Sequence, residues 1–339
     1  MKVLPDLVIR PYEDRDEGRV LELLRASLGG GPLGRRDPAF FRWKHLANPF
    51  GTSFLLVAEA AGRIVGLRAF LRWRFELDGR EVRAVRAVDT ATHPDHQGRG
   101  IFRRLTLEAL DALRGEADLV FNTPNGKSLP GYLKMGWRVV GRVPVSLRVR
   151  RPFRFLRGSV GPREAGDPGP PPAVTAPAVG DVLARLRAPW RAGPPDASGG
   201  RFATPRTLEY LRWRYGEAPG FDYRAVVEGD PGAPEGLAVF RVRPRGRLWE
   251  TTVAEVFVRP GDRATAARLL RRVARAARVD HLACSFPPGS TALQAARRAG
   301  FLPAPAGITL VALPLREELR EAAWDLRRWA LTLGDLEVF

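Results

Sequence analysis

His93-Pro94-Asp95-His96-Gln97-Gly98-Arg99-Gly100-Ile101-Phe102 stands between an apolar, strand-like run (Ala84 to Thr92) and a helix-like run (Arg103 to Leu113). A glycine-bearing turn from strand to helix leaves backbone N–H groups unpaired at the positive end of a helix dipole, a ready site for phosphate or pyrophosphate. Gly98 and Gly100 lack Cβ atoms, so the backbone there can approach a ligand closely and take φ > 0. With 35 glycines in the chain, a chance Gly-x-Gly turn is the competing explanation. The strand–helix–strand passage through this turn, ending in the strand at Leu119 to Asn122, implies one parallel strand pair at the centre of a sheet.

Around this turn the chain repeats itself. Arg42-Trp43-Lys44-His45, with Pro49 six residues after the Trp, matches Arg212-Trp213-Arg214-Tyr215, with Pro219 at the same distance. Strand-like segments ending in Glu59 and Glu228 follow, then Gly66-Leu67-Arg68-Ala69-Phe70 against Gly236-Leu237-Ala238-Val239-Phe240. Each copy continues through a strand, a proline (Pro94, Pro260), a helix, a short strand and a helix closing on Gly136-Trp137 or Gly300-Phe301. A repeat this long means tandem domains rather than a solenoid. In the first copy, periodicity predicts strands at 7–10, 54–59, 64–75, 82–92 and 119–122, and a final strand pair within 137–150. It predicts helices at 13–28, 38–46, 98–113 and 127–135. Three successive strands without helices imply an antiparallel meander.

The expected division is 1–150 for the first unit, 151–200 for a Pro/Gly-rich linker and the start of the second, and 201–315 for the second unit. Residues 316–339 are read as a C-terminal helix (Arg316 to Leu331) and tail. The stretch Arg157 to Val179 reads as an exposed, partly extended connector, and 193–200 as a loop.

At 339 residues with 45% hydrophobic content, the chain can build two real cores. No apolar run is long enough to span a bilayer, and the N-terminus shows no apolar signal segment, so a cytoplasmic protein is expected. The single Cys284 fits that compartment and excludes an intramolecular disulfide. His45, His93, His96 and His281 are too few and too badly spaced for a metal site, so none is expected. The net charge of +18 rests on 51 arginines and four lysines. It suits nucleotide cofactors, nucleic acids or acidic glycans as partners, or else reflects a coding bias that leaves a solvated surface.

A second motif, Asn125 to Trp137, gives the turn its meaning. The first copy resembles a GNAT acyltransferase domain. That family carries Q/R-x-x-G-x-G/A, matched by Gln97 and Gly100, with Phe102 where a small residue is usual. It also carries an Asn seven residues before a Tyr and a Gly-aromatic pair four residues on, matched by Asn125, Tyr132, Gly136 and Trp137. The resemblance covers about 5–150 by motif and 200–315 by element order. It implies an α/β (α+β) fold of two GNAT-like domains, each a mixed, mostly antiparallel twisted sheet flanked by helices.

The resemblance further implies acetyl-CoA, or another acyl-CoA, with its pyrophosphate on the N–H groups of Gln97, Gly98, Arg99, Gly100, Ile101 and Phe102. Asn125 belongs to the same cofactor site. The pantetheine would run beside Asp89, Thr90, Ala91 and Thr92, one of whose N–H groups would stabilise the oxyanion formed when an amine attacks the thioester. Tyr132 takes the family's general-acid role, since a phenol holds its proton at neutral pH. Its alternative is a core tyrosine on an amphipathic helix. Asp89, a carboxylate in an apolar strand, is the first candidate for the base, because burial without a partner is costly. Its alternative is a hydrogen-bonded structural Asp. Glu59, His93 and Asp335 are weaker candidates, and the C-terminal carboxylate at Phe339 is another.

In the second copy, Arg263, Ala264 and Ala266 replace Gln97, Gly98 and Gly100, and Ala296 replaces Tyr132. That copy is expected neither to bind CoA nor to catalyse, but to brace the first and complete an acceptor cleft. Arg42-Trp43-Lys44 and Arg212-Trp213-Arg214 could line such a cleft, or serve as core anchors. The reading that follows is an N-acetyltransferase acting on an amine-bearing small molecule or sugar, or on a protein. A Fem-type transferase using aminoacyl-tRNA is the alternative that the charge favours and the intact glycine loop opposes. A CoA-sensing or nucleic-acid-binding module without turnover is the other.

Overall fold

The computed structural model describes residues 6–28, 37–159, 167–186 and 200–336. The expected loop at 193–200 lies almost wholly outside these residues, as does the Phe339 carboxylate. The first copy runs β1 (Val8–Pro11), α1 (Glu17–Leu28), α2 (Pro38–His45), β2 (Phe54–Ala60), β3 (Arg63–Leu77) and β4 (Arg80–Thr92). It continues with α3 (Ile101–Ala112), β5 (Leu119–Asn122), α4 (Leu129–Lys134), β6 (Arg138–Val143) and β7 (Ser146–Val149). After α5 (Pro152–Ser159) and α6 (Val179–Arg185) come α7 (Leu208–Leu211), β8 (Tyr223–Asp230), β9 (Ala233–Arg245) and β10 (Leu248–Val258). Then follow α8 (Arg263–Ala276), β11 (His281–Cys284), α9 (Thr291–Arg298), β12 (Leu302–Pro303) and β13 (Ile308–Pro314). The chain closes with α10 (Arg320–Trp324) and α11 (Leu333–Leu336).

Two mixed α/β sheets result. The first has the order β1-β2-β3-β4-β5-β13-β6, the second β12-β7-β11-β10-β9-β8. As the meander pattern requires, β2–β3 and β8–β9–β10 are antiparallel, while β4–β5 and β10–β11 are parallel.

The final strands depart from the sequence reading. β6 and β7 do not stay in one sheet: β7 pairs antiparallel with β11 and β12. β13 pairs antiparallel with β5 and stands between β5 and β6. Each half of the chain therefore gives its last strand to the sheet built by the other half. One compact unit comprises Met1–Phe75, Arg80–Gly141 and Thr309–Asp325; the other comprises Glu76–Gly79, Arg142–Ile308 and Leu326–Phe339. The breaks at 150 and 315 expected from sequence both fall elsewhere, because strand alternation reports that a segment is a strand but not which sheet receives it.

Two further expectations change. The stretch Arg316 to Leu331 is no continuous helix but short turns around α10, where Trp324 stacks on the Arg138 guanidinium at 3.8 Å. The described part of the Pro-rich connector is tied down: Thr175 N donates to Ala276 O, and Arg224 donates to Ala176 O.

The glycines that open β3 and β9 show why the two copies share a scaffold. A Cβ on Gly66 would lie 2.8 Å from Ile101 and 2.9 Å from Leu105; one on Gly236 would lie 2.7 Å from Thr265 and 2.9 Å from Leu269. In both units the helix after the loop lies so close to the sheet that only glycine fits beneath it. Gly66→Val should cost about 1–3 kcal/mol through overpacking, read as a lower denaturation midpoint with unchanged m-value. Residues 1–150 expressed alone lack β13 between β5 and β6. They should unfold without a cooperative transition and be digested rapidly by protease, whereas the full chain resists.

Candidate active site

Pairing between β4 and β5 ends at Arg86↔Phe121, although β4 runs on to Thr92. At Asp89 the backbone takes φ +40°, a left-handed conformation rare for a non-glycine residue. The diverging end of β4 leads into the Gly98–Gly100 turn. Gly98 and Gly100 adopt φ +73° and +79°, and a Cβ on Gly98 would meet no atom within 4 Å, so the loop backbone faces open space.

Gly100 caps α3 and offers no side-chain acceptor to its first N–H groups. The corresponding helix of the second unit, α8, is capped by Asp262, whose carboxylate accepts from Thr265 N at 3.0 Å. One helix start is closed by the protein's own anion and the other carries no side-chain cap.

Thr90, Ala91, Thr92, Gln97, Gly98, Gly100, Ile101, Phe102, Asn125 and Tyr132 line one cavity of about 580 Å³. Arg99 does not line it; its side chain turns to Asp95 O at 3.1 Å. Asn125 contributes less freely than its motif suggests, because its Oδ1 already accepts from Lys127 N and Ser128 N. Arg103 and Lys127 also line the cavity, adding positive charge suited to phosphates, as do His96 and, from α1, Ser27 and Leu28. The sequence signal for the two cations was their adjacency to the glycine turn and to Asn125. That for Ser27 was absent, since only folding brings its hydroxyl to Thr92 O at 3.1 Å.

Phe102, the departure from the family pattern, is accommodated by Gly131. A Cβ on Gly131 would lie 2.8 Å from the Phe102 ring, which packs edge-on against Tyr132 at 5.6 Å. Tyr132 also packs on Trp137 at 5.1 Å and is 4% exposed. Its hydroxyl oxygen accepts from Arg68 Nη1 at 2.9 Å, and the same nitrogen donates to Thr90 Oγ1 at 2.6 Å. Arg68 was quoted in the repeat but not read as a site residue; nothing in its strand pattern marks an arginine as buried.

Asp89 is not an unpartnered carboxylate. Its Oδ2 meets Lys44 Nζ at 2.6 Å and His45 Nε2 at 3.0 Å, and His45 Nδ1 lies 2.9 Å from Ser53 Oγ. By the register of the repeat, Asp89 corresponds to Glu255 and His45 to Tyr215, and Tyr215 donates to Glu255 at 2.8 Å. Each unit thus ties a carboxylate at its strand irregularity to the end of the preceding helical segment.

The other candidates for a base are accounted for in the same way. Glu59 pairs with Arg10 at 2.7 Å. His93 accepts from Asp95 N within the turn. Asp335 is buried on Arg206 at 2.8 Å and Thr204 at 2.7 Å. Beside it, burial pushes Glu255 up to about 7 against the pull of Arg206, with the Asp335 charge adding to the rise.

The tryptophan elements do not offer exposed faces. Trp43, Lys44, Trp213 and Arg214 are buried, and Arg214 donates to Gly334 O. Only Arg42 and Arg212 of these triplets are exposed, and Arg42 pairs with Glu17 at 2.7 Å. Among the described residues no cluster of His, Cys, Asp and Glu could hold a metal ion.

The family model of the GNAT acetyltransferase domain matches residues 8–140. No curated protein matches the chain. Among solved structures, a probable N-acyltransferase from Enterococcus faecalis V583 aligns with TM-score 0.61 and 12% identity, covering 91% of this chain and 73% of that one. A GCN5-related N-acetyltransferase from Anabaena variabilis aligns at 0.60 and 13%, with the same coverage. Eis1 from Mycobacterium abscessus aligns at 0.55 and 15%, covering 94% and 76%. These likenesses establish a shared fold, and the domain match places the glycine turn inside it. Residues 8–140 thus carry a GNAT acetyltransferase domain.

Proposed function

We propose that the chain is an N-acetyltransferase that moves an acetyl group from acetyl-CoA to an amine by direct attack. The observation that carries this reading is the glycine-bearing start of α3, without a side-chain cap, opening into the same cavity as Tyr132. GNAT domains generally use acyl-CoA donors, and the residues present suit one. The N–H groups of Gln97 to Phe102 would hold the pyrophosphate, with Arg103 and Lys127 supplying compensating charge. Asn125 stands at the same cavity wall.

The donor supplies an activated thioester carbon. An N–H of the Asp89–Thr92 segment would stabilise the oxyanion as the amine nitrogen bonds to that carbon. Tyr132 then gives its phenol proton to the sulfur as the C–S bond breaks, and the proton shed by the amine restores the phenol through solvent. The products are an amide and a free thiol.

In this scheme Asp89 positions the bend of β4 through Lys44 and His45 and is not the base. A carboxylate oxygen already bonded to an ammonium is a weak proton acceptor, and Glu255 repeats the arrangement in a unit without the glycine loop. The acceptor belongs to the class of primary amines, as a small molecule, sugar or protein. No described helix is long and apolar enough to cross a membrane, and we place the activity in the cytoplasm.

Acetyl-CoA should raise the melting temperature, and Gly100→Asp should abolish the shift by setting a carboxylate where the pyrophosphate belongs. No shift at saturating acetyl-CoA would sink the reading. Tyr132→Phe should lower kcat at least tenfold with little change in acetyl-CoA affinity, measured by thiol release and calorimetry. Asp89→Asn should lower the melting temperature by several degrees while kcat falls less than tenfold. A loss of turnover as large as that of Tyr132→Phe, at unchanged stability, would return Asp89 to the role of base.

A further inference from the structure

Arg68 is buried, with 0% of its surface exposed, and among the described residues no carboxylate is bonded to it. A guanidinium is charged in any protein interior, and burying one without an anion is costly. Here Nε and Nη2 are buried without hydrogen-bond partners among the described residues, and the charge is cushioned by aromatic faces and two neutral hydroxyls. The Phe70 ring centroid lies 4.1 Å from Cζ, that of Tyr132 5.4 Å and that of Phe102 5.9 Å. The two hydrogen bonds it makes go to Thr90 and Tyr132, both of which line the donor cavity.

The repeat separates what the scaffold needs from what this cluster adds. In the second unit, Ala238 stands at the Arg68 position, Val256 at that of Thr90 and Ala296 at that of Tyr132; Ala238 and Val256 are directly paired across β9 and β10. All three are buried. The scaffold therefore closes well with three apolar side chains here, while it keeps the close-packed glycine and the strand carboxylate in both copies. The cluster Arg68–Thr90–Tyr132 goes with the glycine loop and not with the fold.

We propose that Arg68 is a positioning residue for the general acid. A guanidinium can only donate, so the Tyr132 oxygen accepts from it and the phenol hydrogen must point elsewhere. Thr90 holds the guanidinium in place from β4. When the phenol proton passes to the sulfur, the negative charge left on the Tyr132 oxygen meets the Arg68 cation. This rests on the acid role given to Tyr132 above.

The test is a double-mutant cycle on the full chain, read as thiol release from acetyl-CoA with a panel of an alkylamine, a polyamine, an aminosugar and a lysine-containing peptide. Arg68→Gln should lower kcat at least tenfold with less than a threefold change in acetyl-CoA affinity, and Arg68→Lys should restore part of the loss. Added to Tyr132→Phe, Arg68→Gln should change kcat less than twofold. An equal loss in both backgrounds would overturn the proposal, since Arg68 would then act independently of Tyr132. Normal turnover of Tyr132→Phe would overturn the acid role, whereas normal turnover of Arg68→Gln beside a slow Tyr132→Phe would overturn only the positioning.

Thr90→Val, which keeps the Arg68 charge and the Arg68–Tyr132 bond but removes one acceptor, should lower kcat three- to tenfold and lose that effect in the Tyr132→Phe background. A readout that needs no acceptor is the 13Cζ resonance of Tyr132, assigned by its loss in Tyr132→Phe. It should move in Arg68→Gln and return toward the native position in Arg68→Lys. An unmoved resonance would overturn the contact itself.

Discussion

The end of the β4–β5 ladder at Arg86↔Phe121 is the constraint on which the candidate site depends. A parallel pair that continued to Thr92 would lay a neighbouring strand along this edge of β4. Because the ladder ends instead, Thr90, Ala91 and Thr92 line a cavity shared with the α3 start and Tyr132. The departure is held from outside the cavity. Asp89, strained into φ +40°, is anchored by Lys44 and His45 at the end of α2, and His45 is in turn braced by Ser53. Strain of this kind persists only where its surroundings over-determine it, and here a buried ion pair and an imidazole do so.

The second unit carries the same device with other side chains, Glu255 bonded to Tyr215. It differs at the helix start and in the cluster beside it: α8 is capped by Asp262, and apolar residues occupy the positions of Arg68, Thr90 and Tyr132. One chain thus holds the scaffold twice and the chemical groups once. Comparison of the copies within one sequence distinguishes a carboxylate that both units keep from a cavity-lining tyrosine that only one has. Burial alone could not do this, because Glu255 and Tyr132 are both buried and both hydrogen-bonded.

Exchange of β7 and β13 makes each sheet depend on chain from both halves. β13 contributes Val311 and Leu313 to the core beneath the first unit's helices, and Leu315 N reaches back to Asp118 O at 2.9 Å. Asp118 is itself held below its usual range by Arg83 and Arg316 despite its burial. The first unit is therefore complete only when residues some 170 positions beyond β6 have arrived. The long-range pairing this entails is of the kind that slows folding.

Local chemistry decided much by itself. Hydrophobic period and turn residues located β2 to β5 and the four helices of the first copy to within a few residues, since those signals depend on neighbours three or four positions away. The glycine turn, Asn125 and Tyr132 stood out because each is a particular residue type at short spacing, and the fold brings them to one cavity. The loss of the turn from the second copy was legible for the same reason.

What the sequence left open were pairings between distant segments. An alternating strand carries no mark of the sheet it will join, so the exchange of β7 and β13 emerged only in three dimensions. Asp89 reads as a lone carboxylate until Lys44 and His45, more than 40 positions earlier, are folded onto it. Arg68 reads as an ordinary strand arginine until folding brings Thr90 and Tyr132 within hydrogen-bond distance and buries the charge between aromatic rings. Whether an ionisable side chain is solvated, paired or left as a buried charge depends on the total environment around it. That environment exists only once the chain has folded.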